Sequence, residues 1–490
     1  MNRRHFIQTA AAGALVASAA PTPKMIGLQV GAVSFLDEGV EKALDEIQQA
    51  AFVNTLFVAT FTYGRGIAGR QSPGQPLPDH GRQEYDTPGN ANAFHGGSYT
   101  KTHPQYYKDT VIQDFRAPEL GDYDVLEAVI PAARKRGMKT ICWFEDVWRR
   151  DVPNIAQAQE KQLDGQNSTN LCFNNPNYRN WLLDTVEDYC RSHEIDGIMW
   201  GSERQGAFAD AMGAAHGGTP RNPGAVTCFC EHCERKAKER GIDVARARAG
   251  FKALGEFTTA ARQNKRPVDG YYVALWRLML RYPELLAWEM LWTDSLRETY
   301  AAMYSKVKSV KPSVGVGWHI WHNNSFSPIY RAEQDLSELS KYSDFLKMVM
   351  YHNCGGERMA GYIRSVGGTI YGDVPQQELL DFHYRVLDYK QEKPLAEISK
   401  SGLSANYVYE ETRRAREALN GARTQLWPGI DIDIPTAQTN ARCTPDGTKD
   451  AILAAFRGGA DGVLLSRKYS EMKLTNLRGA GAAVRELGLA

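Results

Sequence analysis

The sequence predicts a (β/α)8 barrel, and three observations carry that prediction. Strand-like apolar runs recur eight times, amphipathic helical stretches lie between them, and one entry turn is used twice. The runs are 26–33, 55–60, 139–144, 197–201, 314–320, 345–351, 425–432 and 462–466. They read as near-continuous apolar segments because a parallel strand covered on both faces has no solvent side to make polar. The fourth run is entered through Asp196-Gly197 and the eighth through Asp461-Gly462, tight helix-to-strand turns at equivalent places in a barrel.

Helical stretches at 38–50, 124–136 and 449–457 repeat apolar residues every three or four positions, as one-sided packing on a barrel requires. Two segments break the rhythm. Residues 64 to about 120 are rich in Gly, Pro, His and Tyr, and residues 206 to about 300 hold a cysteine cluster and helical runs at 234–240 and 271–307. Both leave the carboxyl ends of strands, the end where barrel proteins build their sites. No repeat, low-complexity tract or linker marks a second domain, so the expectation is one barrel over 21–490 with an insertion at about 206–300.

Residues 1–20 read differently. Arg3 and Arg4 precede an Ala-rich apolar stretch ending Ala17-Ser18-Ala19-Ala20, the pattern of a twin-arginine export signal with a small-residue cleavage site. The stretch is too short and too rich in Ala to hold a bilayer span. The expected location is therefore the periplasm or the medium, with the twin-arginine translocase as a transient partner. A net charge of +1 gives no support to nucleic-acid or anionic-membrane binding. Ten Trp and 23 Tyr suit sugar faces and core filling equally, and the oligomeric state stays open.

The strongest local signal is Cys228-Phe-Cys230-Glu-His-Cys233, with Cys172 upstream in Leu-Cys-Phe-Asn-Asn-Pro-Asn-Tyr. Three thiolates in one short turn and a fourth from a neighbouring loop supply the tetrahedral soft-ligand set that zinc takes. An exported protein also allows disulfides among the same residues, and His232 is a substitute ligand. Cys142, Cys190 and Cys354 sit in apolar runs and read as buried thiols.

The order Cys172-Phe-Asn-Asn-Pro-Asn-Tyr-Arg, strand-end Glu203, then Cys228-Phe-Cys230-Glu-His-Cys233 resembles the glycoside hydrolase family 42 β-galactosidases and related hypothetical glycosyl hydrolases. The resemblance implies a barrel that acts on carbohydrate, a structural zinc held by the four cysteines, and a general acid/base Glu closing the fourth strand. That residue is Glu203 here, although Ser202 stands where the family has Asn. The family's late nucleophilic Glu has no clear counterpart. Since related barrels keep that group on strand seven, Asp431 is the first candidate for the second carboxylate and Asp433 the second. Alternation puts both on one face.

Glycosidic cleavage commonly uses two carboxyl groups, one to protonate the leaving oxygen and one as nucleophile or base. Strand three offers Glu145 and Asp146, which must point in opposite directions, and Asp146 competes for the second role or for a sugar hydroxyl. The remaining strand ends are crowded with Trp318, His319, His322, Tyr351, His352 and Arg467, an alternation of aromatic and hydrogen-bonding groups that suits sugar rings. Two other readings fit the same residues. One is a carbohydrate-binding barrel without hydrolysis, and the other is a metal-dependent hydrolase built on His319, His322, His352 and an acid.

Overall fold

The computed structural model describes residues 24–62, 77–82, 96–113, 115–117, 120–146, 152–215, 222–390, 392–436 and 442–490. The export-signal segment and much of 64–120 lie outside the described residues. Eight parallel strands form the barrel: β1 (Met25–Val30), β2 (Thr55–Thr62), β3 (Lys139–Glu145), β4 (Gly197–Gly201), β5 (Gly315–Ile320), β6 (Phe345–Val349), β7 (Gln425–Asp431) and β8 (Gly462–Ser466). Each pairs with the next, and β1 closes the ring through Met25 opposite Gly462 and Gly27 opposite Thr55. The expected fold is the observed one, strand for strand.

Helices cover the outside, among them Val40–Ala51, Val125–Lys135, Pro176–Ser192, Glu284–Val310, Ala405–Ala418, Pro445–Arg457 and Leu474–Glu486. Asp124 and Asn175 cap two of them by accepting the amides of Leu126 and Glu127, and of Asn177. The interior is filled by Met25, Phe57, Ala59, Ile141, Trp143, Met199, Phe345, Trp427 and Leu464. Phe345 and Trp427 stack at 4.0 Å and Phe57 meets both edge-on, which plugs the lower half of the barrel. Gly317 makes this stacking possible, since a Cβ there would lie 2.2 Å from the Phe345 ring.

Two elements differ from the sequence reading. The first strand ends at Val30 rather than 33, because the apolar run continues through Gly31 into the helix Ala32–Glu38. The helical run 271–307 is two helices, Tyr271–Arg281 and Glu284–Val310. Pro283 lacks the N–H that would bond back and pushes Tyr282 out of the helical region, to φ −129. A further long excursion follows β6, with helices His352–Gly367 and Gln376–Val386 ahead of the helix Ala405–Ala418. Among the described residues no helix is long and apolar enough to cross a membrane.

Candidate active site

Above the aromatic plug, the inward positions change from apolar to polar. Lys347 lies two residues beyond Phe345 on β6 and is fully buried in the barrel. Its Nζ donates to Gln29 Oε1 on β1 at 2.7 Å and to the Tyr351 hydroxyl at 2.9 Å, while Ser466 Oγ on β8 donates to the same Gln29 oxygen at 2.6 Å. Gly429 on β7 leaves the room, since a Cβ there would sit 2.7 Å from Lys347 Cε. Burial brings the Lys347 ammonium down to about 7, with the carboxylates of Glu203 and Glu145 acting in the opposite direction. Lys347 therefore changes charge near neutrality while in electrostatic reach of two acids.

Glu203 stands just past β4, with a side chain 39% exposed and Oε1 2.9 Å from Nε2 of His319. His319 comes from the inward face of β5 and its Nδ1 is buried without a partner. Burial holds this imidazole below its ordinary value, with Lys347 adding to the effect, so it is neutral at pH 7. Its one proton is best used on Nε2, where Glu203 accepts it. Gly201 permits the approach, because a Cβ there would lie 2.5 Å from His319 Cβ.

Glu145 lies two residues beyond Trp143 on β3, on the inward face, with Gly201 as its register partner on β4. Arg358, from the helix that follows β6, donates to His322 Nδ1 at 3.0 Å and lies 5.7 Å from the centre of the Tyr351 ring. His322 is fully buried, with its Nε2 3.0 Å from the Tyr407 hydroxyl, so it supports Arg358 from behind. The structure thus brings Glu203, His319 and Tyr351 together with Glu145, Lys347 and Arg358.

Other sequence candidates are placed elsewhere. Asp146 is buried on the outer side of the wall, where it accepts from Ser202 Oγ and Arg204 Nε at 2.7 Å each, and from the Tyr178 hydroxyl. Trp318 faces outward, with Nε1 donating to the Tyr342 carbonyl at 3.0 Å and the ring 4.5 Å from Tyr300. Asp431 is fully buried and accepts the Ile434 amide at 3.0 Å and the Cys354 amide at 2.7 Å, the latter in the first turn of the helix His352–Gly367, which it caps. Burial raises its carboxyl to about 6. Asp433 does not share its face, because β7 ends at Asp431 and the chain turns with φ 57 at Asp433. Its carboxylate accepts the Lys473 amide and Asn476 Nδ2. His352 is buried, its Nδ1 has no partner, and burial lowers it to about 4. Arg467 is the exception: its guanidinium is held by Glu471 but stays in electrostatic reach of Lys347 and Arg358, at the edge of the site.

The four cysteines form a second, separate centre. The sulfurs of Cys172, Cys228, Cys230 and Cys233 all lie within 4.8 Å of one another, with Cys172 3.5 Å from both Cys230 and Cys233. A disulfide needs about 2.05 Å. A tetrahedral ion with metal–sulfur distances near 2.3 Å would separate its ligands by roughly 3.8 Å, so the set fits a metal such as zinc. The charges agree. Burial pushes the Cys228 thiol well up, whereas donation from Cys172, then Cys228 and Cys233, pulls Cys230 down, and a dication relieves that conflict. Asn174 Nδ2 donates to Cys233 Sγ at 3.3 Å and is held by Lys236, a supporting contact of the kind ligands have. His232 turns away, its Nδ1 3.1 Å from Arg235.

Arg204 ties the two centres. It lies 4.1 Å over the Phe173 ring, donates to the Leu171 carbonyl at 3.1 Å and pairs with Asp146 and Glu160. The loop carrying Cys172 is thereby fixed to the residue after Glu203. The far side of Glu203 is anchored by Glu289, which is buried and accepts the Phe208 amide at 2.7 Å, directly beside a close approach at Gly206. Burial pushes Glu289 up to about 7 and its neighbour Glu333 higher still. Both titrate above their unfolded value, so their contribution is complete in acid and is lost as pH rises through neutrality. The unfolding midpoint should fall from pH 6 to pH 9, and Glu333→Gln should flatten that fall. A Glu333→Gln protein with the same slope would contradict this.

No protein-family model matches the sequence, and no curated protein matches it. The fold does have relatives among solved structures. A polyextremophilic β-galactosidase from the Antarctic haloarchaeon Halorubrum lacusprofundi superposes with a TM-score of 0.52 at 15% identity, over 95% of this chain and 58% of that one. The α-L-fucosidase isoenzyme 2 from Paenibacillus thiaminolyticus gives 0.50 at 12% identity, over 95% and 49%. This chain spans about half the length of those proteins, and likeness at this level is likeness of fold.

Proposed function

We propose that the chain is an exported glycoside hydrolase that cleaves O-glycosidic bonds of an oligo- or polysaccharide, with Glu203 as general acid/base. The observation that carries the reading is Glu203 itself, a partly exposed carboxyl at the fourth strand end, 2.9 Å from a buried neutral histidine. In a protonated turn of its cycle Glu203 gives its proton to the leaving glycosidic oxygen, and His319 holds the resulting carboxylate in place. The second carboxylate we assign is Glu145, because it faces the same interior and shares Lys347 with Glu203, whereas both Asp431 oxygens are engaged by amides. Glu145 then attacks the anomeric carbon or takes a proton from the attacking water. Tyr351 and Arg358 offer an aromatic face and hydrogen-bond donors to sugar hydroxyls.

Both solved relatives carry the names of glycosidases, which supports the same class. A metal-dependent hydrolase is less well supported, since among the described residues the four cysteines are the group arranged for a metal ion and His322 and His352 do not converge with His319. The four cysteines would hold a structural zinc, loaded before twin-arginine export carries the folded protein out. Incubation of the mature chain with aryl glycosides and with plant and bacterial polysaccharides should release reducing ends. Tight sugar binding with no product from any of them would replace the hydrolase with a carbohydrate-binding barrel.

A further inference from the structure

Ten described residues have large, exposed apolar side chains, and seven of them are concentrated in one region, Leu36, Leu286 and Met290 belonging to other helices. Val268, Tyr272, Val273, Trp276, Leu280, Phe382 and Val386 are 42–95% exposed and belong to two neighbouring helices and the turn before the first. On the helix Tyr271–Arg281 the exposed apolar residues are Tyr272, Val273, Trp276 and Leu280, beside the exposed Arg277 and Arg281, while Tyr271 and Leu275 are buried on the other face. Phe382 and Val386 form the matching edge of the helix Gln376–Val386. The two faces are continuous, because Tyr272, Tyr371 and Phe382 line one cavity of about 490 Å³ between them.

The size decides what kind of surface this is. Three half-exposed aromatic rings and four aliphatic side chains present on the order of 700 Å² of apolar area, above what a typical monomer leaves open and close to one partner's share of a stable dimer, roughly 800 Å². Charge decides the partner. The patch is edged by both signs, with Arg277 paired to Asp269, Arg266 paired to Asp373, and Glu378, Asp381 and Arg385 beside the cavity. A membrane or a partner of one sign would meet as much repulsion as attraction, whereas a second copy brings the same balanced mixture of cations and anions. Shape agrees, since Leu280, 79% exposed, stands proud on the same face as the cavity. An isologous contact places each copy's protruding residue opposite the other's hollow.

We propose that this face joins two copies of the chain in a two-fold dimer, with Trp276 and Leu280 as its anchors. The prediction is independent of catalysis. Sedimentation velocity of the mature protein from about 0.5 to about 50 µM, a range that brackets micromolar association, should give twice the chain mass. The double variant Trp276→Glu, Leu280→Glu should sediment as a monomer with unchanged circular dichroism. Tyr272→Ser, a milder change at the cavity edge, should weaken association about tenfold or more, the loss expected when a buried aromatic anchor is truncated. A wild-type monomer throughout the range, a closed trimer or larger ring, or a double variant that still dimerises would overturn the proposal. So would a monomer that floats with phosphatidylglycerol–phosphatidylethanolamine vesicles through the same residues.

Discussion

Glu203→Gln is expected to lower turnover by roughly 10²–10⁴-fold while leaving substrate binding nearly intact. That factor is the usual share of general acid–base catalysis, and the amide keeps the volume and the contact to His319 but has no proton to transfer. The contact survives in altered form, since the introduced amide would still offer an oxygen to His319 Nε2, which lies 2.9 Å from Glu203 Oε1 in the native chain. The loss should therefore fall on kcat rather than on KM. Glu145→Gln is expected to be comparably damaging, and Asp431→Asn should act differently. Asp431 caps a helix through the Cys354 amide and holds its own following turn through the Ile434 amide, so its replacement should lower the unfolding midpoint and reduce activity only in proportion to the folded fraction.

Removal of a metal bound by the four cysteines, as proposed above, is expected to cost more stability than any single substitution at the mouth. Structural zinc in small domains contributes about 10–16 kcal/mol, comparable with the whole net stability of about 5–15 kcal/mol of a folded domain. Four buried sulfurs crowd within 4.8 Å of one another, and the loop that carries Cys172 is the one Arg204 holds beside Glu203. Elemental analysis should find about one zinc per chain. Cys230→Ser, or prolonged chelation, should lower the unfolding midpoint by about 10 °C or more and take activity with it only as the fold is lost. A metal-free protein with Cys228 and Cys233 joined in a disulfide would contradict this, as would an undiminished midpoint after chelation.

What could be read from the sequence follows from how local each signal is. The eight strands were readable because a strand covered on both faces is apolar throughout, and the cysteine cluster was readable because three of its four ligands sit within six residues. Facing is a different matter. Glu145 and Asp146 are adjacent, and only the packing of Trp143 against the interior plug shows which of them points inward. Trp318 and His319 pose the same choice two strands later, and the larger side chain goes outward, against Tyr300. Lys347 is hidden in the run Phe-Leu-Lys-Met-Val-Met, where a lysine reads as a flaw in a strand until Gln29, Tyr351 and Ser466 are brought around it by closure of the barrel. Asp431 faces the expected way, yet its partner amide at Cys354 is 77 residues distant, and no local pattern announces such a cap.

The leaving-group dependence of hydrolysis tests the central claim most directly. A general acid matters most where the leaving oxygen is basic, so Glu203→Gln should hydrolyse a dinitrophenyl glycoside at a rate within about tenfold of wild type. The same variant should lose about two or more orders of magnitude on the unactivated glycoside of the same sugar. An equal loss on both substrates would contradict a proton-donating role for Glu203.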